Sequence, residues 1–169
     1  MRVAVTGTPG TGKTTATERL DTDLGVIHLN DAIKEEDGLD AGVDEDRDSV
    51  VADFDAVAEW LDGRDDVLVE SHLAHHFDAD RVIVLRAHPE TIEDRLAERD
   101  ESDASITENA ESEALDVILS EAVERHGTES VYEIDTTDRS VEGVVDAIEA
   151  VLAGEREPSA GTVSFVDYL

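Results

Sequence analysis

Short apolar runs that do not alternate recur along the chain, each followed by a polar cluster and then a helical pattern. They are Val3-Ala4-Val5, Val26-Ile27-His28-Leu29, Val67-Leu68-Val69, Val82-Ile83-Val84-Leu85 and Val131-Tyr132-Glu133-Ile134. Each is too short for a helix, and a strand that is apolar on successive residues is one buried on both faces, as in a parallel sheet. Between the strands, apolar residues spaced by three and four predict helices. The first should run from near Lys13 through Ala16 and Leu20, and a short second one is capped by Asn30 or Asp31. A third carries Val50, Phe54, Val57, Ala58 and Leu61 and ends at Gly63, and Pro89 opens a fourth with Ile92 and Leu96 inward. Another continues through Ile106, Ala110, Ala114, Val117, Ile118 and Ala122 to Gly127. The last places Val141, Val144, Val145, Ile148, Val151 and Leu152 on one stripe.

Five strands with intervening helices predict an α/β sandwich, a five-stranded parallel sheet with helices on both faces, whose ligands lie at the carboxyl ends of the strands. Two polar excursions interrupt it, Asn30 to about Val50 and Glu98 to about Glu108; the acidic part of the first, Glu35 to Asp48, reads as a mobile segment. The expected organisation is one domain over 1–154 and a tail over 155–169, whose Phe165 and Tyr168 suit docking on the core or on a partner.

The loop after the first strand, Gly7-Thr8-Pro9-Gly10-Thr11-Gly12-Lys13-Thr14, fits G-x-x-x-x-G-K-[ST] at every fixed position. Glycines allow the backbone to turn its N–H groups inward as a nest for phosphate, which a side chain at Gly10 or Gly12 would crowd. Lys13 supplies a positive charge for the β- and γ-phosphates of ATP, the hydroxyl of Thr14 can sit on Mg²⁺, and Thr15 can reach the α-phosphate.

Composition narrows the class. The 169 residues are enough for one domain with a core, there is no cysteine for disulfide or thiolate chemistry, and no apolar run approaches the ~20 residues of a spanning helix. There are 44 acidic residues against 13 basic, a net charge of −31, and the acids are spread between intact apolar runs rather than gathered in a tail. Such a folded acidic surface repels itself at low salt and is screened in brine, so the expectation is a cytoplasmic protein of a salt-accumulating halophile. The sparse cations argue against direct binding of nucleic acid through a basic patch.

Taken together, GTPGTGKTT, Glu70-Ser71-His72 after the third strand, Val84-Leu85-Arg86, Arg95-Leu96-Ala97-Glu98-Arg99, and Glu108-Asn109 followed by Glu113 resemble the adenylate kinase 6 family over Arg2 to about Leu152. That resemblance implies a P-loop NTPase fold of the nucleoside monophosphate kinase kind, with an NMP-binding excursion at about 30–50 and a lid at about 98–108. It implies transfer of the ATP γ-phosphate to AMP or another nucleoside monophosphate with Mg²⁺, and ATPase activity. It also implies a role in maturing the small (30S) ribosomal subunit through a ribosomal protein of the S eleven type. This chain has Glu70-Ser71-His72 where the family often has Asp-Tyr-His, and Arg99-Asp100-Glu101 where it often has Arg-Gly-Tyr.

Glu70, just past an apolar strand, is placed like an acid that orients Mg²⁺ or its water; the alternative is a solvated strand-end carboxylate. His72 could position a water or a phosphate, a role that the resemblance supports. The cluster His72, His75 and His76 suggests a metal site, but there is no cysteine or paired acid at ligand spacing, which favours ordinary surface histidines. Arg86, Arg95 and Arg99 are candidate phosphate clamps, Arg99 the one expected to close over the ATP phosphates; the alternative is pairing with nearby acids along a helix. Lys34 and Arg47 are candidates for the acceptor phosphate, and Asp135-Thr136-Thr137 for contact with the base. Asn109 and Glu113 share a helix face without an assignable role.

Overall fold

The computed structural model describes residues 1–44 and 49–169. In chain order the elements are β1 (Arg2–Thr6), α1 (Lys13–Thr17), β2 (Gly25–His28), α2 (Leu29–Glu35), β3 (Asp40–Asp44), β4 (Ser49–Ala52) and α3 (Phe54–Leu61). They continue as β5 (Val67–Glu70), a 3-10 turn (Ala74–His76), β6 (Arg81–Arg86), α4 (Pro89–Glu98), α5 (Asp103–Ala114), α6 (Val117–His126), β7 (Val131–Asp135) and α7 (Val141–Leu152). Five strands form one parallel sheet in the order β2-β5-β1-β6-β7.

The unalternated runs are explained by two separate apolar layers. Val3 and Val5 of β1, Ile83 and Leu85 of β6, and Ile134 of β7 face the side covered by Ala16 of α1 and the stripe of α7. Ala4, Val82 and Val84 face the opposite side, covered by Leu29 and Ile33 of α2, Val57 and Leu61 of α3, and Leu119 and Ala122 of α6. β1, β5, β6 and β7 are therefore apolar on both faces, as a doubly covered parallel sheet requires, whereas the edge strand β2 packs through Ile27 and leaves Val26 exposed. Among the described residues no helix is long and apolar enough to cross a membrane.

Several local expectations are corrected. The first helix ends at Thr17 rather than continuing through Leu20, because the chain tightens into turns in which Arg19 N–H donates to Ala16 and Leu20 N–H to Thr17. The first excursion is not featureless: β3 and β4 pair antiparallel within it, with Val43 opposite Val50. Val50 therefore belongs to a strand, and the third helix begins only at Phe54, where the Asp53 carboxylate accepts the N–H of Ala56. The helix expected to run on to Gly127 is two helices, broken at Asp116, which sits in the left-handed region at φ 55°. The segment at about 98–108 comprises the end of α4, a short connection and the start of α5, which Ser102 caps by accepting the N–H of Ser105.

The tail packs on the core. Ser159 N–H donates to the Val131 carbonyl, the Ser159 hydroxyl accepts the Glu133 N–H, Phe165 lies edge-on to His88, and the Tyr168 hydroxyl donates to Glu93 of α4.

Candidate active site

β1 delivers the glycine loop to the carboxyl edge of the sheet, at its central strand. Gly7 has φ 150°, and a Cβ there would stand 2.6 Å from the Leu85 carbonyl oxygen of β6. At Gly12 the requirement is conformational: φ is 92°, while a Cβ would meet nothing within 4 Å. At Gly10, with φ 96°, a Cβ would meet side chains of α4, the nearest 3.3 Å away on Ile92. Within the protein itself, backbone twist therefore favours glycine at both positions, and contact with α4 adds to it at Gly10.

The loop is braced from several sides. Thr11 donates its N–H (3.2 Å) and hydroxyl (2.8 Å) to the Thr8 carbonyl, and the Thr136 hydroxyl after β7 donates to the Thr11 carbonyl at 3.1 Å. The buried Thr8 hydroxyl donates to Glu113 of α5 at 3.2 Å. Lys13 is 8% exposed, and its ammonium donates to the Thr8 carbonyl at 3.2 Å. Burial first, and then Arg99, lower its pKa to about 8 against the opposing pull of Glu70 and Glu113. A cation held this way is stabilised by an incoming anion.

Strand register brings the acid beside the loop. Glu70, the last residue of β5, lies opposite Val5 of β1 on one side and His28 of β2 on the other. One carboxylate oxygen of Glu70 accepts the Thr14 hydroxyl at 3.1 Å and lies 2.8 Å from His28 Nδ1. His72 follows two residues later. The Asn30 amide lies 3.4 Å from His72 Nδ1, while the Asn30 carbonyl oxygen accepts the Ser71 hydroxyl, so the amide donates and Nδ1 accepts. Burial, with Lys13 as the next cause, lowers the His72 pKa to about 4, so its ring is neutral near pH 7.

On the other side of the loop, Gly12, Thr15, Arg95, Arg99, Thr136 and Arg139 line a cavity of about 420 Å³, with Val141 and Val144 as apolar wall. Arg95 donates to the Gly10 carbonyl at 3.0 Å. Burial, and then the like charge of Arg99, hold Arg95 below the usual guanidinium range. Three guanidiniums, those of Arg95, Arg99 and Arg139, outnumber the one carboxylate, Glu98, along this open cavity beside the glycine loop, which suits an anionic ligand with a flat apolar part.

The expectation for Arg86 is corrected. Its side chain is 1% exposed and its five N–H groups are all engaged: Nε with Glu113, Nη1 with Glu133 and the Val163 carbonyl, Nη2 with Asp116 and the Glu113 carbonyl. It has no donor left for a phosphate. Lys34 is exposed in the last turn of α2, one turn beyond Asn30. Arg47 lies outside the described residues. Two residues that sequence reasoning left without a role stand out. His28 reaches Glu70 only through strand register, and Glu113, 105 residues from Thr8 in the sequence, accepts Thr8, Arg86 and the Ala87 N–H together.

The AAA domain family pattern matches residues 3–116. A protein of Natronomonas pharaonis named "Putative adenylate kinase" is 66% identical over 169 residues, the full length of both chains. Proteins of the same name from Halobacterium salinarum (63% identical, both chains fully covered) and Methanosarcina mazei (39% identical, covering 99% of this chain and 98% of the other) are also similar. The chain belongs to the AAA domain family of P-loop proteins and, at full length, to the adenylate-kinase-like proteins of archaea.

Proposed function

We propose that the protein is a nucleoside monophosphate kinase of the adenylate kinase type, which transfers the γ-phosphate of ATP to AMP or another nucleoside monophosphate. The observation that carries this reading is the nearly buried Lys13 ammonium, hydrogen-bonded only to a neutral carbonyl among the described residues, in the loop whose Thr14 hydroxyl is paired with Glu70. Those two hard oxygen donors suit Mg²⁺, which would neutralise charge on the β- and γ-phosphates. Gly10, Gly12, Lys13, Thr14 and Thr15 then bind the ATP phosphates, Arg99 closes on them with Arg95 behind it, and His72, neutral, holds a water or acceptor oxygen by hydrogen bonding. Lys34 and Arg47 remain the candidates for the acceptor phosphate. Transfer proceeds by positioning and electrostatics without a covalent intermediate.

The same site would support ATP hydrolysis, and the resemblance to the adenylate kinase 6 family extends the proposal to maturation of the small ribosomal subunit with a ribosomal protein of the S eleven type in the cytoplasm. ADP formation from Mg-ATP, followed with and without AMP in molar KCl, tests the kinase reading. AMP-dependent production of two ADP per ATP is expected. ADP formation unchanged by any nucleoside monophosphate, but stimulated by the basic ribosomal protein, would replace the kinase with an ATPase switch. The net charge of −31 further implies that thermal unfolding moves to lower temperature when the salt is removed.

A further inference from the structure

Away from the phosphate site, the fold brings three metal-ligating side chains to one point. The 3-10 turn after β5 presents two consecutive imidazoles, and α6 lays Glu121 across them. One Glu121 oxygen stands 2.7 Å from His75 Nε2 and 3.3 Å from His76 Nε2, and the three prospective ligand atoms all lie within 4.8 Å of one another. A tetrahedral ion with bonds of about 2.0–2.1 Å keeps its ligand atoms roughly 3.3 Å apart, so the two sides that meet at Glu121 are already near the required length. The acid that spacing along the sequence lacked is supplied by packing, 46 residues from His75.

A plain hydrogen bond from His75 to Glu121 would explain one of these contacts, but the rest of the arrangement goes further. His75 Nδ1 lies 2.7 Å from the Thr6 hydroxyl, which can donate to the ring or accept from it. That partner supports equally the tautomer with a proton on Nε2 and the one whose Nε2 lone pair is free for a cation, which is the role of a supporting residue behind a ligand histidine. The second ring is also fixed in place, His76 stacking on Phe54 with centroids 4.9 Å apart. His75 is 1% exposed, whereas the side chains of His76 and Glu121 are 32% and 40% exposed, so the inner wall is dry and the outer side is open to a solvent ligand.

We propose that His75, His76 and Glu121 form a binding site for a divalent cation of the zinc class, with solvent as the fourth ligand. Two nitrogens and one oxygen suit zinc rather than Mg²⁺, which prefers oxygen throughout, so the site is distinct from the nucleotide's metal. Occupancy ties α6 to the connection between β5 and β6. Through Thr6 the site stands one hydrogen bond from the strand that runs into the glycine loop.

The test is a Zn²⁺ titration of the full chain against a chromophoric chelator, in molar KCl with excess Mg²⁺ to fill the all-oxygen acidic surface, together with Co²⁺ absorption to report geometry. One equivalent per chain, a tetrahedral-type cobalt spectrum and a higher melting temperature with Zn²⁺ are expected. His76→Gln and Glu121→Gln, both at partly exposed positions, should each weaken binding at least about tenfold and lose the thermal shift. His28→Gln, which removes the imidazole beside Glu70, should retain both. Zinc binding that survives His76→Gln, that is lost in His28→Gln instead, or that is absent from the wild-type chain would overturn the proposal.

Discussion

Among the described residues two cations are nearly buried, Lys13 and Arg86, and they stand in opposite conditions. Arg86 is surrounded by Glu113, Asp116 and Glu133, with every N–H group engaged; burial alone would lower its pKa, but the three carboxylates outweigh that and hold it raised. Lys13 makes one hydrogen bond, to a carbonyl, among the described residues, and burial leaves it with a lowered pKa of about 8. The difference teaches where the missing charge resides. Arg86 finds its counter-ions within the chain and so joins α5, β6, β7 and the tail. Lys13 is drawn to Glu70 and Glu113, but among the described residues its one hydrogen bond goes to a neutral carbonyl, which leaves it suited to an anionic ligand.

The comparison breaks first at Lys13. Lys13→Ala is expected to lower phosphoryl transfer by at least about 10³-fold, because charge stabilisation at the transferring group is the main source of rate. Its melting temperature should stay the same or rise, since a cation whose burial outweighs its attraction to Glu70 and Glu113 has been removed. A variant that unfolds instead would mean that Lys13 is structural after all.

Arg86→Met should do the reverse. It leaves Glu113 and Glu133 buried without their partner, at a cost of about 3–5 kcal/mol in denaturant unfolding. Whatever folded protein remains should keep measurable turnover. If Arg86→Met were as stable as wild type yet inactive, Arg86 would belong with the phosphate clamps. Arg99→Ala, which removes an exposed guanidinium from the rim of the cavity, is expected to reduce kcat by about 10²-fold with little change in stability. Equal kcat in the variant and wild type would remove Arg99 from the site.

How much of this was legible in the sequence follows from how local each feature is. Lys13 and Thr14 could be read because eight consecutive residues fix the loop, and the two faces of β1 because Val3, Ala4 and Val5 are all apolar. Val50 misled because its spacing to Phe54 and Val57 fits a helix, while its pairing with Val43 depends on a neighbouring strand. His28 was hidden for the same reason: only the register of β2 on β5 sets it opposite Glu70. Arg86 was read as a clamp because a cation at the end of a β-strand looks the same in sequence whether it faces a ligand or a carboxylate. The three acids that neutralise it come from α5, the α5–α6 break and β7, and no spacing along the chain announces their convergence.

The smallest predicted effect sharpens the contrast further, because it makes activity and stability respond oppositely to pH. In the free enzyme Lys13 loses its proton at about 8, so kcat/KM for ATP should fall above that pH, approaching tenfold per unit, while kcat stays flatter because bound phosphate favours the charged form. The sign for folding is reversed. Between about 8 and the ordinary lysine value of 10.5, the unfolded chain binds more protons at this position than the folded one, so Lys13 makes stability rise with pH across that window. Below about 8 the burden of burying the ammonium is present in full. Other groups titrate in the same range, so the informative quantity is the difference between wild type and Lys13→Met in unfolding free energy measured from pH 7 to 10.5. That difference should shrink as the pH rises, wild type gaining on the variant; a difference constant across the window would mean that Lys13 is not an uncompensated cation in the nucleotide-free protein.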